Sequence, residues 1–492
     1  MHTQTISFLA LTCLSSTRSL SNNNLGPRGM KGCCKALLLC PTLRSLDLSQ
    51  NSPGRGPAAE LDGEQALEEL LCKHPGLTRV GIVESLSKQG LDQRALTNIG
   101  EALRRRKQSS IQFLSCDAFR IRAEDKVLNL NDATGWPKPH GERLLAGVLM
   151  CNATLTEVSL DTWSQLSKTG RKDVGDALLR NKISALGYCN LLGLRKGDQS
   201  VTLNFKDGEL RNPETVQLFA GLMSNNRELS HLRLLGVSDQ EVIPLVRALR
   251  ENSHLKKLEL MTAFHESSTT GQRRSSDDQR RNIVLPVQDL NGRNGSTNID
   301  LNLWNGGSKD RMVAGERLER VHLTLVAQLL GENSSVLAVR LNAGPHELGL
   351  RHFLTSLAKI RKGGCTLRAL DVSSTNLGPR GGSMLFDTLQ SGKCKELVCL
   401  HLAYNHVFEG AMADSAAEAM QNLLLTETCR VEELDLRGNS IMGATLEAVF
   451  TGNRSLTFLD VRDNSAIDDE VLAKLVRPWG SELIPLEARF NL

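Results

Sequence analysis

One pattern constrains this chain above all others. L-x-x-L-x-L-x-x-N, with other aliphatic residues standing in for leucine, returns along nearly its whole length. It reads Leu43-Arg-Ser-Leu46-Asp-Leu48-Ser-Gln-Asn51, Leu367-Arg-Ala-Leu370-Asp-Val372-Ser-Ser-Thr375 and Leu397-Val-Cys-Leu400-His-Leu402-Ala-Tyr-Asn405. It returns as Val431-Glu-Glu-Leu434-Asp-Leu436-Arg-Gly-Asn439 and Leu456-Thr-Phe-Leu459-Asp-Val461-Arg-Asp-Asn464. Weaker copies begin at Leu77, Ile111, Leu155, Ile183, Leu229, Leu255, Val336 and Leu483, with a damaged one near Leu20. Side chains alternate along a strand, so Leu434 and Leu436 share the inward side and Asp435 faces out. One such unit cannot bury its apolar side alone, so the copies must stack. On this register Leu434→Asp should destroy cooperative unfolding, whereas Asp435→Ala should cost little.

The usual spacing between copies is about 30 residues, enough for a strand and a full helix. Helical halves show as apolar residues at three- and four-residue steps in Arg94–Arg105 and Ala411–Leu425. In these features the chain resembles the leucine-rich repeat family, in its long-repeat, ribonuclease-inhibitor-like form, from about residue 14 to the C-terminus. The resemblance implies an α/β solenoid, a horseshoe of thirteen or fourteen repeats with a parallel concave sheet backed by outer helices. It also implies a module that binds other proteins.

A second ladder supports the register. Three residues before a first leucine stand Asn152, Asn226, Asn252, Asn333 and Asn453, with Cys40 and Cys394 at the same offset. A small polar side chain there can satisfy backbone groups where helix turns back into strand. Three intervals break the period: Ile111 to Leu155, Ile183 to Leu229, and Leu255 to Val336. Each holds a short alternating segment, at Val127–Asn131, Val201–Phe205 and Ile299–Leu303. We read these as extra strands inserted at one rim, with degenerate repeats as the competing reading. The polar stretch His265–Arg281 has no apolar residue and should be a flexible loop. It contains Arg273-Arg274-Ser275-Ser276, which resembles a basophilic kinase site. The expected organisation is an irregular or truncated start over 1–19, then repeats with two rim insertions over 20–263. A flexible polar insertion with an extra strand follows over 264–312, and regular repeats fill 313–492.

Comparing Leu25-Gly-Pro-Arg-Gly29 with Leu377-Gly-Pro-Arg-Gly381 places Arg18 where Leu370 stands, so the first strand should be broken. No Lys or Arg precedes Arg18 and no A-x-A site follows, which argues against a secretory signal. Six of the 12 cysteines, Cys40, Cys72, Cys151, Cys365, Cys394 and Cys429, sit at equivalent places before a first leucine, where free Cys packs as a small hydrophobe. Of four N-x-S/T sequons, those at Asn152, Asn333 and Asn453 fall on the inward ladder, where a glycan would not fit; the fourth is at Asn294. A reducing cytoplasmic or nuclear home follows.

The interior must be mostly aliphatic, since aromatics are only 4% of residues. With 59 Lys+Arg against 55 Asp+Glu, the charge is too balanced to imply nucleic acid or an anionic membrane as partner. No apolar run reaches the roughly 18–20 residues of a membrane span. Phosphate-loop, nucleophile-elbow and zincin motifs are missing, so neither catalysis nor a cofactor is expected. Cys394, Cys399, His401 and His406 form the best metal candidate, but packing and surface roles explain them better. The outward row between the last two leucines carries Asp371, His401, Asp435, Asp460 and Glu487, and the next row Arg437, Arg462 and Arg489. These eight residues read as a self-satisfying ion ladder, as a docking surface for a protein partner, or as both at once. The leading expectation is an intracellular protein-interaction scaffold; the alternative is a small-GTPase regulator resembling Ran GTPase-activating proteins.

Overall fold

A computed structural model describes residues 15–51, 61–82, 93–106, 112–115, 120–122, 124–131, 140–205, 208–237, 239–261, 282–301, 320–330, 333, 335–341, 350, 353, 367–392 and 394–467. The stretch His265–Arg281, with its Ser275 and Ser276, lies outside them, as do Glu487 and Arg489. The chain divides into two compact units, Met1–Arg280 and Arg281–Leu492.

In the first unit, strands alternate with helices in the order β1 (Thr17–Ser19), α1 (Pro27–Leu38), β2 (Ser45–Asp47), α2 (Leu61–Lys73), β3 (Arg79–Gly81), α3 (Gln93–Arg105) and β4 (Phe113–Ser115). The strands pair in parallel with the equivalent residues opposite each other, so Leu46 faces Val80 and Val80 faces Leu114. All three are at most 1% exposed. Burying one such side chain contributes about 2 kcal/mol. The first strand is not broken, contrary to expectation. Arg18 opposes Leu46 in register, because backbone pairing needs no leucine at that position.

The chain continues through β5 (Arg120–Ile121), β6 (Val127–Asn129), α4 (His140–Leu149), β7 (Glu157–Ser159), α5 (Lys168–Arg180) and β8 (Tyr188–Cys189). It ends the unit with β9 (Ser200–Asn204), α6 (Pro213–Asn225), β10 (His231–Leu235), α7 (Asp239–Glu251) and β11 (Lys257–Met261). The segments read as rim insertions are strands of the sheets themselves. β6 pairs in parallel with β7, placing Leu128 opposite Val158, and β9 pairs with β10, placing Leu203 opposite Leu234. The degenerate-repeat reading is therefore the correct one. What these repeats lack is a helix before the strand. Antiparallel β5 lies on β4, and after β8 the chain doubles back so that Cys189 and Leu194 exchange both backbone hydrogen bonds. These two returns interrupt what was expected to be one continuous parallel sheet.

One register also needs correction. Ile183 is 58% exposed, whereas Leu186 is 1% exposed and Cys189 opposes Val158, so that repeat starts at Leu186.

Asparagines bind each repeat to the last. Asn252 accepts from the amides of His254 and Leu255 and donates to the carbonyls of Met223 and Asn226. Asn152, Asn226, Asn333 and Asn453 accept from following amides in the same way. Asn181, hidden by the wrong register at Ile183, donates to the carbonyls of Leu149 and Asn152. Each satisfies backbone groups that burial would otherwise leave unpaired.

Adjacent helices approach through glycine. A Cβ on Gly175 of α5 would collide with the Gln217 carbonyl of α6, and one on Gly221 would come within 2.7 Å of the Gly175 carbonyl oxygen.

The second unit runs β12 (Asn282–Pro286), α8 (Val287–Leu290), β13 (Asn298–Asp300), α9 (Arg320–Leu330), β14 (Ala338–Arg340), β15 (Ala369–Asp371) and α10 (Gly378–Gln390). It continues with β16 (Cys399–His401), α11 (Ala413–Leu424), β17 (Glu433–Asp435), α12 (Gly443–Gly452) and β18 (Phe458–Asp460). From β13 to β18 the strands form one six-stranded parallel sheet in sequence order. The third segment read as an insertion, β13, is its first strand.

Among the described cysteines, eight are free and mostly buried, and burial pushes the Cys34 thiol up to about 12. Cys40 departs from the expected free thiol, being disulfide-bonded.

Candidate functional site

The register of the six-stranded sheet aligns Asp300, Arg340, Asp371, His401, Asp435 and Asp460 in one row. Neighbouring strands are about 4.8 Å apart, so like charges in this row repel unless countered. Arg340 provides the counter-charge at one end, 2.7 Å from Asp371 and 3.6 Å from Asp300. At the other end Arg437 binds Asp435 through two nitrogens and lies 3.4 Å from Asp460, which also holds Arg462 at 2.6 Å.

The aspartates have a second duty. Oδ1 of Asp47, Asp371, Asp435 and Asp460 each accepts from the amide two residues on, at 2.9–3.1 Å. The carboxylate thus caps the turn where the strand ends. Burial tends to raise the Asp371 carboxyl, but the Ser373 amide and hydroxyl, the Arg340 guanidinium and nearby His401 outweigh it and hold the group below its usual range. The hydrogen bonds that Arg437 donates to Asp435 push its guanidinium further up, and those that Arg462 donates to Asp460 do the same.

Beyond the row the turns repeat as well. Ser374, Tyr404, Gly438 and Asp463 all adopt positive φ, each one residue before Thr375, Asn405, Asn439 or Asn464. Those three asparagines accept from amides of the preceding turn: Asn405 serves Thr375 and Leu377, Asn439 serves Asn405 and Val407, and Asn464 serves Asn439 and Ile441. Tyr404 lies across Gly438, where any Cβ would strike its ring, and its hydroxyl donates to Asp463 at 2.5 Å.

The expected site residues therefore divide by depth. Asp435 and Asp460 come together with Arg437 and Arg462, but their side chains are only 6% and 2% exposed. What the surface presents is Arg462, Arg437, Arg340 and Tyr404, the first with 60% of its side chain exposed. Asp300 and Arg340 were missed, although Arg340 holds the row position in the weak copy starting at Val336. Extending the row through the weak copies would have found it.

The metal candidate does not assemble. Burial and a hydrogen bond with Glu433 push the Cys399 thiol up to about 12, and His406 Nδ1 bonds Glu409 at 2.8 Å. Among the described residues no group of His, Cys, Asp and Glu is arranged to hold a metal ion. Nor is any described helix long and apolar enough to cross a membrane.

Stacked strand–helix units with asparagine-bonded turns define a repeat protein, and comparison with known families gives the kind of repeat. A family model described as Leucine Rich repeat matches residues 365–386 and 452–476, so these two segments are similar to leucine-rich repeats. No curated protein matches it. Among solved structures it is similar to a chain in the crystal structure of the Rad7 and Elc1 complex in yeast, at 12% identity and a TM-score of 0.21, over 96% of this chain and 75% of that one.

Proposed function

We propose that this chain is an intracellular protein-interaction scaffold of the long-repeat, ribonuclease-inhibitor-like kind, curved as a horseshoe and without catalysis of its own. A protein partner docks on the charged face of the β13–β18 sheet. The observation that carries this reading is the preorganised arginine row: Arg340, Arg437 and Arg462 are each held by a less exposed carboxylate. Arginine and tyrosine dominate the energetics of protein interfaces, and side chains already ordered lose less entropy on binding. The sheet face alternates in sign from Asp300 through Arg340 to Asp371, which gives a partner one orientation. A near-balanced overall charge argues against nucleic acid as the ligand.

Helices of 10 to 13 residues, α10, α11 and α12, separate β15 to β18, which supports the long-repeat form. Eight free cysteines support a reducing cytoplasmic or nuclear compartment, with the bonded Cys40 standing against it. So do the sequon asparagines Asn152 and Asn333, each 2% exposed.

The test is proximity labelling with wild type and with the double variant Arg340→Ala, Arg462→Ala, after matched thermal melts. Loss of a defined set of partners from the variant supports the face as the docking surface. An unchanged set overturns it.

A further inference from the structure

The first unit contains a sheet edge that nothing described covers. At both interruptions the upstream strand is closed by an antiparallel return: β5 on β4, and Leu194 on Cys189. The downstream strand β9 has no such cover. Among the described residues it pairs with β10 on one side and with no strand on the other.

Its hydrogen-bonding pattern says which groups face the open side. His231 donates to the Gln199 carbonyl at 3.0 Å and Phe205 donates to the Leu235 carbonyl at 2.8 Å, so the odd-numbered residues point to β10. By alternation the N–H and C=O of Ser200 and Thr202 point the other way. They open into a groove of about 590 Å³ that Ser200–Asn204 line along one side. Trp163, Leu191, Leu192 and Leu210 contribute apolar surface to its other walls.

Two further observations indicate what fits there. Val201 and Leu203 remain 8% and 7% exposed, whereas their register partners Leu232 and Leu234 are 0% and 1% exposed. The inward side of β9 thus lacks the cover that another strand would bring. The groove also carries no net charge. Arg171 stacks over Trp163 at 5.4 Å and neutralises Glu209 at 2.8 Å, and the remaining lining charges, Arg195 and Asp198, are opposite in sign.

We infer that the free edge of β9 is a second docking site, which takes an uncharged, extended segment of a protein partner as an added strand. Unpaired edges template such pairing, and natural proteins usually blunt them. The backbone of the guest bonds Ser200 and Thr202, and an aliphatic side chain covers Val201 and Leu203. None of these residues belongs to the charged face of the β13–β18 sheet. Failure here therefore leaves that face untouched, and the arginine variants serve as a control that should not affect this site.

The test selects a displayed library of random 12-residue peptides against the full chain. Selected peptides should be rich in β-branched and aliphatic residues. Their affinity should fall about tenfold or more on Thr202→Pro, which removes an N–H on the open side and leaves the β10 ladder intact. N-methylation of alternate peptide amides should abolish binding to the unaltered chain, a readout that holds even if the proline variant does not fold. Hydrogen exchange should slow at the Ser200 and Thr202 amides when such a peptide is bound. A library that yields no binder overturns the proposal, as do binders that are charged or indifferent to backbone methylation.

Discussion

Asp435 faces outward by alternation and reads as expendable by register, but its contacts argue against the second. Its side chain caps the Arg437 amide and holds the Arg437 guanidinium, in a position only 6% exposed. Removing it leaves an amide and part of a guanidinium unpaired, so Asp435→Ala should cost about 2 kcal/mol in chemical denaturation, not the small change expected of an exposed residue. Arg462→Ala, at a side chain 60% exposed, should shift the same midpoint by less than about 0.5 kcal/mol. Equal effects would mean that the carboxylates are not capping their turns. A pH dependence belongs to Asp371. Its carboxyl lies lower in the folded chain than its ordinary 3.8, so the stability it contributes is complete above about pH 4 and is lost as pH falls through the lowered value. Asp371→Asn should flatten that part of the acid limb in urea melts run at a series of pH values.

Among elements, the strongly patterned ones were legible. Helices fall at Gln93–Arg105 and Ala413–Leu424, where three- and four-residue apolar spacing predicts them, and the strands of the four strongest copies of the second unit, β15 to β18, lie in mutual register. The failures share a cause. Val127–Asn129 and Ser200–Asn204 carry the strand alternation but lack a preceding helix at the usual distance, and Asn298–Asp300 follows only the four-residue α8. Spacing alone therefore read them as additions when they are members of the sheets. Whether a short strand is in a sheet or beside it depends on its pairing partner, which local sequence does not contain. The charged row was half legible for a related reason: the residue types at each position could be read, but not that Arg437 reaches back to Asp435 and across to Asp460. Close helix contact was not anticipated at all. Gly175 and Gly221 let α5 and α6 approach to backbone distance, so Gly221→Leu must separate them. A loss of about 2 kcal/mol or more, read as a lowered melting temperature, is expected; an unchanged melt would mean that the helices have room to spare.

For the molecule as a whole, stability in a stacked chain is approximately a sum over neighbours, and it divides where neighbours stop touching. In the first unit the sheet is interrupted after β4 and after β8. Hydrogen exchange should therefore resolve three blocks there, β1–β4, β6–β8 and β9–β11, each opening with its own free energy. One common exchange rate across the unit would contradict this. The same additivity gives the left-handed turns a practical meaning. Gln50, Ser374 and Ser440, each with φ between 58° and 60°, hold a conformation that side chains resist and glycine accepts freely. Ser374→Gly should therefore raise the melting midpoint slightly, by the equivalent of about 0.5–1 kcal/mol. Because such turns recur a full repeat apart, their gains should accumulate nearly independently. A chain built this way carries a set of separate adjustments, each on a different repeat, by which its endurance to heat can be raised stepwise while every buried leucine stays in place.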